Sequence, residues 1–283
     1  MDAVSSIAGT TDGDLLEQRV SARAKLSVAR LDGRTRLRRL YQDGAAKIRM
    51  PRPEGDWLEA VLINTAGGLT GGDRLAWDVE MGPDAAAVVT TQASEKVYRA
   101  ACGHAELAAR LVVGANARLA WLPQETILFD RAAFRRTLDV DLAEGATLLV
   151  AEATIFGRRS MGERVTKGVF RDRWRIRSGG RLLHAEDFSL MGDIDALLGQ
   201  APIAGGATAV ATILLVCDDP EGWLERVRAI VGREGGASAW RVGPCGKLLA
   251  RLYAEDGYML RKRLVPLVGM LNGQAGLPKA WSL

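Results

Sequence analysis

Histidine is nearly missing from this chain: His104 and His184 are two among 283 residues. Hydrolytic triads, zinc centres and proton shuttles rely on imidazole because its pKa lies near neutrality. A metal site here would have to be built almost wholly from carboxylates. His104 sits in the polar turn Ala101-Cys102-Gly103-His104, where a Cys-x-His pair is only half a metal site. His184 alternates within Leu182-Leu183-His184-Ala185-Glu186 and reads as a satisfied strand residue. Cysteine is scarce as well. Cys102, Cys217 and Cys245 form no CxxC pair and no disulfide ladder, which points to a reducing compartment, the cytoplasm. The longest apolar stretch, around Val210 to Cys217, is far too short to span a membrane. Met1 to Asp14 has no basic segment followed by an apolar one, so no secretory signal is expected. Lysine is rare too, seven of 38 basic residues, and the net charge of +4 is a weak field for this length. The one dense run, Arg30, Arg34, Arg36, Arg38 and Arg39, alternates like the wet face of a strand and lacks interleaved aromatics. Neither nucleic acid nor membrane is an expected partner.

What is present is a chain long enough to bury about three quarters of its unfolded surface without disulfide or metal staples. From about residue 20 to 216 the pattern is strand, turn, strand. Leu58 to Asn64, Arg74 to Glu80, Ala86 to Ala93, Ala105 to Val113, Arg118 to Leu122, Leu138 to Leu142 and Thr147 to Phe156 are short and alternating or apolar. No amphipathic helix longer than two turns interrupts them, which excludes a doubly wound parallel fold. Gly82, Gly114 and Gly145 lie 32 and 31 residues apart, each opening a turn into a strand. Units of this size must stack to bury their apolar faces. The rhythm fits a helical winding of strands or an ordinary β-meander.

The last 70 or so residues change character. Asp219 is an N-cap candidate with Pro220 at the first helical position, and Trp223, Leu224, Val227, Ile230 and Val231 follow at helical spacing. A second helix is expected over 258–271, with Leu260, Leu264, Leu267, Val268 and Leu271 on one side and Pro266 interrupting it. The expected fold is therefore mainly β, with stacked or helically wound strands resembling a β-helix and two C-terminal helices. A flexible segment over residues 1–19 precedes a single domain over 20–272. The tail over 273–283 that follows reads as either disordered or a docking peptide, the latter with Trp281 exposed as an anchor.

Four segments could carry chemistry. Asn64-Thr65-Ala66-Gly67-Gly68-Leu69-Thr70-Gly71-Gly72-Asp73 permits close backbone approach, but Asp73 stands where a phosphate loop needs lysine. It reads as a tight double turn with Asp73 bonded to backbone N–H groups. Thr90-Thr91-Gln92-Ala93-Ser94-Glu95-Lys96-Val97-Tyr98-Arg99 is polar enough to line a groove. Trp121-Leu122-Pro123-Gln124-Glu125-Thr126-Ile127-Leu128-Phe129-Asp130 has a proline marking an edge or bend. Gly157-Arg158-Arg159-Ser160-Met161-Gly162-Glu163 is a basic turn between two glycines.

In this order the four segments resemble the UreD urease accessory protein family, called UreH in some bacteria. The likeness continues through Leu264-Val265-Pro266-Leu267 and Leu277-Pro278 with Trp281, from about residue 20 to the end. The resemblance implies a non-enzymatic urease maturation factor, a helically wound β-scaffold. It would act with UreF, the GTPase UreG and the urease structural subunits to insert nickel, and a second copy of the chain could join that complex. GTP would be used by UreG, and this chain would hold no cofactor of its own, nickel binding only in transit. A conduit for nickel needs acidic groups in an apolar interior, and Asp73, Glu152, Glu163 and Glu186 are the candidates. Glu152 stands out because Val150-Ala151-Glu152-Ala153-Thr154-Ile155 is otherwise nearly apolar. Each could instead pair with an arginine or face water. Leu264, Pro266, Leu277, Pro278 and Trp281 are the candidate partner-binding residues, facing UreF. The competing reading is a β-rich hydrolase or lyase using Glu125 with Asp130 or Glu186 with Asp187. A third is an interaction scaffold unrelated to urease.

Overall fold

Apolar residues recur at every second position along most strands, so each strand presents one face to an interior. The computed structural model describes residues 19–52, 55–158 and 161–281, and the expected N-terminal segment lies outside them but for Arg19. Two sheets pack face to face. The first contains β1 (Ser21–Leu31), β2 (Arg34–Asp43), β5 (Arg74–Met81), β8 (Ala105–Val113), β11 (Ala133–Leu142), β13 (Gly168–Ser178) and β14 (Arg181–Gly192), in the order β14-β13-β11-β8-β5-β1-β2. The second contains β3 (Ala46–Arg49), β4 (Leu58–Asn64), β6 (Ala86–Thr91), β9 (Arg118–Leu122), β12 (Thr147–Phe156), β15 (Ala209–Cys217), β16 (Gly235–Val242) and β17 (Cys245–Ala254). Its order is β16-β17-β15-β12-β9-β6-β4-β3, and the short β7 (Glu95–Val97) and β10 (Thr126–Leu128) join it beside β12.

Between β4 and β13 the chain crosses from one sheet to the other at every pass. Each pass lays a parallel strand beside its predecessor: β4, β6, β9 and β12 on one side, β5, β8, β11 and β13 on the other. The result is a solenoid-like winding of about four turns, so the helical alternative holds and the meander does not. The plain corners stack by backbone bonds. Gly114 N–H donates to Met81 O at 2.9 Å, and Ala143 N–H donates to Val113 O at 2.9 Å. Ala143, not Gly145, is therefore the counterpart of Gly114. Gly145 instead occupies the left-handed position filled by Asn116 one turn and Asp84 two turns earlier, with φ of 69°, 55° and 56°.

β12 shows why the central strands read as apolar without a break. Leu148, Val150 and Phe156 point between the sheets, whereas Leu149, Ala151 and Ala153 point outward under the C-terminal helices. Both faces are buried, as in parallel sheets covered on two sides. Helix α1 (Ile194–Leu198) is short and was not expected from the sequence; Asp193 caps it by accepting from Ala196 N–H at 2.9 Å. Helix α2 (Glu221–Val231) begins where expected, and Asp219 Oδ1 accepts from Gly222 N–H at 3.0 Å.

Helix α3 (Gly257–Asn272) lays Leu260, Leu264, Leu267, Val268 and Leu271 on the second sheet, and each such burial stabilises by about 1.5–3 kcal/mol. Pro266 lies inside α3 and does not end it. Pro266 and Lys262 are both exposed, so the carbonyl that loses its partner faces water. Among the described residues no helix is long and apolar enough to cross a membrane.

Candidate functional site

The four motif segments are the four long connections on one side of the winding, and they stack into a single edge. Leu69 N–H donates to Lys96 O and Tyr98 N–H to Leu69 O, both at 2.7 Å. Phe129 N–H donates to Val97 O at 3.0 Å and Gly157 N–H to Leu128 O at 2.8 Å. Gly68 packs too closely for a side chain: with φ of 153°, a Cβ there would lie 2.4 Å from Tyr98 Cε2 and 2.7 Å from Lys96 O. Tyr98 meets Phe129 edge to face at 5.0 Å, and the Arg158 guanidinium covers the other ring, 4.5 Å from its centroid. Lys96, Tyr98 and Arg99 reach solvent along this edge.

Beneath the edge lies a cavity of about 190 Å³ that runs inward between the sheets. Thr91, Gln92, Ser94, Glu95, Pro123 and Gln124 form its outer wall, and Trp77, Leu107, Trp121, Thr126, Arg136 and Glu152 its inner wall. Ladder register explains this company. Glu95, Thr126 and Thr154 are paired across β7, β10 and β12, and Glu152 stands two residues before Thr154 on the same inward face.

Glu95 is half-buried and its Oε1 accepts from Asn64 Nδ2 at 3.1 Å. Burial pushes its carboxyl up to about 7, against the pull of Asn64 and of the Lys96 backbone. A carboxyl raised in the folded state contributes stability that is full below its unfolded pKa near 4.5 and lost as pH rises through about 7. Glu95→Gln, which imitates the protonated form, should therefore gain on the wild type between pH 5 and pH 8, by about 1 kcal/mol or more. Denaturant midpoints measured at both pH values check this; a gap that stays constant would contradict it.

Deeper in, Arg136 on β11 faces Glu152 on β12 across the core and pairs in register with Asp172 on β13. Its Nε and Nη2 donate to the two Asp172 oxygens at 3.0 and 2.6 Å, and Nη1 to Thr126 Oγ1 at 3.3 Å. Asp172 Oδ1 also accepts from Trp174 Nε1 at 3.1 Å. Glu152 Oε1 accepts from Trp121 Nε1 at 2.8 Å. Glu152 Oε2 lies 2.7 Å from Arg136 Nε, yet that N–H points to Asp172, so Oε2 receives charge but no hydrogen. Burial raises the Glu152 carboxyl, Asp172 adds to the shift, and Arg136 and Trp121 oppose it. Asp172 and Glu152 hold Arg136 firmly protonated against its burial.

Residues 20–282 match the profile of the UreD urease accessory protein family. The chain belongs to this family. It is 65% identical over 268 residues to the urease accessory protein UreD of Mesorhizobium japonicum, covering 95% of this chain and 96% of that protein. Identity to the urease accessory protein UreD 1 of Brucella anthropi is 59% over 273 residues, covering 95% and 96%. To UreD 1 of Brucella abortus it is 58% over 266 residues, covering 94% and 95%.

The UreD motifs thus share one edge, but the four acidic candidates do not share one site. Only Glu152 lines the cavity. Asp73 accepts from Val20 N–H at 2.9 Å and Thr70 N–H at 2.7 Å, so one oxygen holds the glycine-rich turn and the other ties it to the residue before β1. Glu163 binds Arg158 Nε at 2.6 Å within its own loop, and Glu186 on β14 pairs with Arg251 on β17 far along the sheets. The carboxylate pairs of the hydrolase reading are committed in the same way. Glu125 binds Arg261 at 2.8 Å, Asp130 accepts from Thr166 and Lys167 N–H, and Asp187 binds Arg175 at 2.6 Å. His184 is not the fully satisfied residue expected: Nε2 has no hydrogen-bond partner, and burial beside Lys247 and Arg251 pushes it down to about 4.

The tail corrects a second expectation. Trp281 is only 4% exposed, because its Nε1 donates to Thr90 Oγ1 and Leu122 O, both at 3.1 Å. Leu264 and Pro278 are buried as well, Leu277 packs beneath α3, and Pro266 is exposed. The anchor is docked on its own chain. Gln124 links the two features, since its Nε2 donates to Ala280 O in the tail and to Thr91 O and Gln92 O at the cavity rim. Glu95, Arg136 and Asp172 were missed as site residues by sequence reasoning.

Proposed function

We propose that this chain is a non-catalytic urease maturation factor that helps deliver nickel to apo-urease, with the cavity beneath the motif edge as part of the ion's route. Membership of the UreD urease accessory protein family supports the maturation role. The observation that carries the route is the succession of Glu95 at the outer wall and Glu152 at the inner wall of one cavity, built by the loops that hold the family motifs. Its oxygen donors are carboxylate, hydroxyl and amide groups, from Glu95, Glu152, Thr91, Ser94, Thr126, Gln92, Gln124 and Asn64, and they stand beside two cations, Lys96 and Arg136. Oxygen donors hold Ni(II) less tightly than imidazole or thiolate clusters do, which suits a cargo that must leave again.

In this reading the chain works in the cytoplasm as part of a complex. UreF and the GTPase UreG would be its partners, with the urease structural subunits as the receiving side and GTP hydrolysis belonging to UreG. The flat motif edge, with Tyr98, Arg99 and Arg158 at its surface, is the face we assign to a partner through which nickel arrives.

Deleting the gene while leaving the urease genes intact should give inactive, nickel-poor urease, restored when the gene is returned. Glu95→Gln and Glu152→Gln together should then lower urease activation at least several-fold while co-purification with urease is retained. Fully active, nickel-loaded urease in the deletion strain would overturn the maturation role. Unchanged activation by the double variant, with the complex intact, would overturn the route.

A further inference from the structure

The inner wall of the cavity carries a cation beside its acid, which is an odd lining for a metal's route. Arg136 is 5% exposed and Glu152 4% exposed, and both face the same space. Every polar group in this network is matched by hydrogen bonds except Glu152 Oε2, which is buried and accepts none. A carboxylate oxygen on the inner wall that meets the Arg136 charge at 2.7 Å but accepts no hydrogen bond keeps its lone pairs open to a divalent cation that has passed Glu95.

Asp172 lies immediately behind. Both of its oxygens are occupied by the Arg136 fork, and it does not reach the cavity wall. Guanidinium cannot be deprotonated in a protein, so its charge stays between the two carboxylates at any physiological pH. Without it, Glu152, Asp172 and the Thr126 hydroxyl would face one another as hard oxygen donors around a space one guanidinium wide. That arrangement would hold a divalent cation, not pass it on.

We propose that Arg136 sets the low affinity of the cavity: by occupying the position between Glu152 and Asp172, it leaves an arriving divalent cation one oxygen and repels it from the rest. The role is one of positioning and electrostatics. Arg136 does not ligate the ion, and it keeps Asp172 from doing so. This inference rests on the route proposed above.

The test uses the full chain and Ni(II) alone. Wild-type protein passed over a desalting column after incubation with Ni(II) should retain essentially none. Arg136→Gln should retain about one ion per chain and bind at least 10-fold more tightly in a calorimetric titration, with a thermal transition that rises when Ni(II) is added. Adding either Asp172→Asn or Glu152→Gln to Arg136→Gln should abolish the retained ion, which a merely loosened core would not do. If Arg136→Gln is not folded, Arg136→Lys serves. Its compact ammonium cannot span both Asp172 oxygens, so it should show a smaller gain in the same measurements.

A folded variant that binds Ni(II) no better than wild type overturns the proposal. So does retention that survives the addition of Asp172→Asn or of Glu152→Gln. The two readings fail separately. Normal urease activation by Glu152→Gln would remove the route even if Arg136→Gln traps nickel. Impaired activation by Glu152→Gln with no trapping by Arg136→Gln would leave the route and remove the role of Arg136.

Discussion

Replacing Trp281 by alanine should lower the unfolding free energy of the chain by about 3–5 kcal/mol, the range for deleting a buried large aromatic. Three connections are lost with the indole. Its apolar area leaves the cluster formed by the second sheet and α3. The Thr90 hydroxyl and the Leu122 carbonyl lose their common donor. Arg261, which lies over the ring at 5.6 Å and also binds Trp281 O and Glu125, loses the surface it rests on.

The magnitude decides between two roles for the tail. A loss near the predicted size, measured by denaturant unfolding of the full-length protein, means that the tail is closed on its own body in solution. A loss below about 1 kcal/mol means that the indole spends most of its time undocked, which would return it to the role of an external anchor. Gln124 ties Ala280 of the tail to the cavity rim, so the same variant should also loosen the segment 91–95. Faster amide exchange at Gln92 and Glu95 than in wild type would report that coupling.

How far such features could be read from the sequence varies with the distance over which they are determined. Strand limits such as Leu58–Asn64, Ala105–Val113 and Thr147–Phe156 were legible to the residue, because alternation and turn residues are local. The winding left a weaker trace. Asn64 and Glu95, Ser94 and Glu125, and Trp121 and Glu152 are each bonded at a separation of 31 residues, which is one turn of the solenoid. Reading the chain at that offset would have put Glu95 in the site.

Glycine spacing alone misaligned the third corner, since the left-handed position is filled by Asp84, Asn116 and Gly145 in turn and only the last is glycine. Arg136 and Asp172 also carried a signal, as each shares the inward parity of its strand: Phe134 and Leu138 for one, Phe170 and Trp174 for the other. Parity showed that these charges point inward. Only the register of β11 with β13 shows that they meet. Trp281 carried no local signal at all. Its burial depends on Thr90 and Leu122, more than 150 residues away along the chain.

Asp172→Ala should be the other severe substitution, costing about 3–5 kcal/mol, because it leaves a buried guanidinium without its two-point partner. Arg136 would keep Thr126 Oγ1 at 3.3 Å and the unaligned Glu152 Oε2 at 2.7 Å, and Trp174 Nε1 would lose its acceptor. Charge neutralisation gives no escape, since arginine does not release its proton. The informative companion is Arg136→Met with Asp172→Leu and Glu152→Gln, which leaves no charge in the network and keeps an acceptor for Trp121 Nε1. Replacing every member of a buried ion triad by well-packed neutral side chains of similar volume is often neutral or stabilising. The triple variant should therefore recover most of the loss, and thermal and denaturant unfolding of the three proteins measure it. If it is as stable as wild type yet activates urease poorly, the charges in this core serve the cargo. If it activates urease normally, the network is an arrangement of the fold, and the polar passage ends at Glu95.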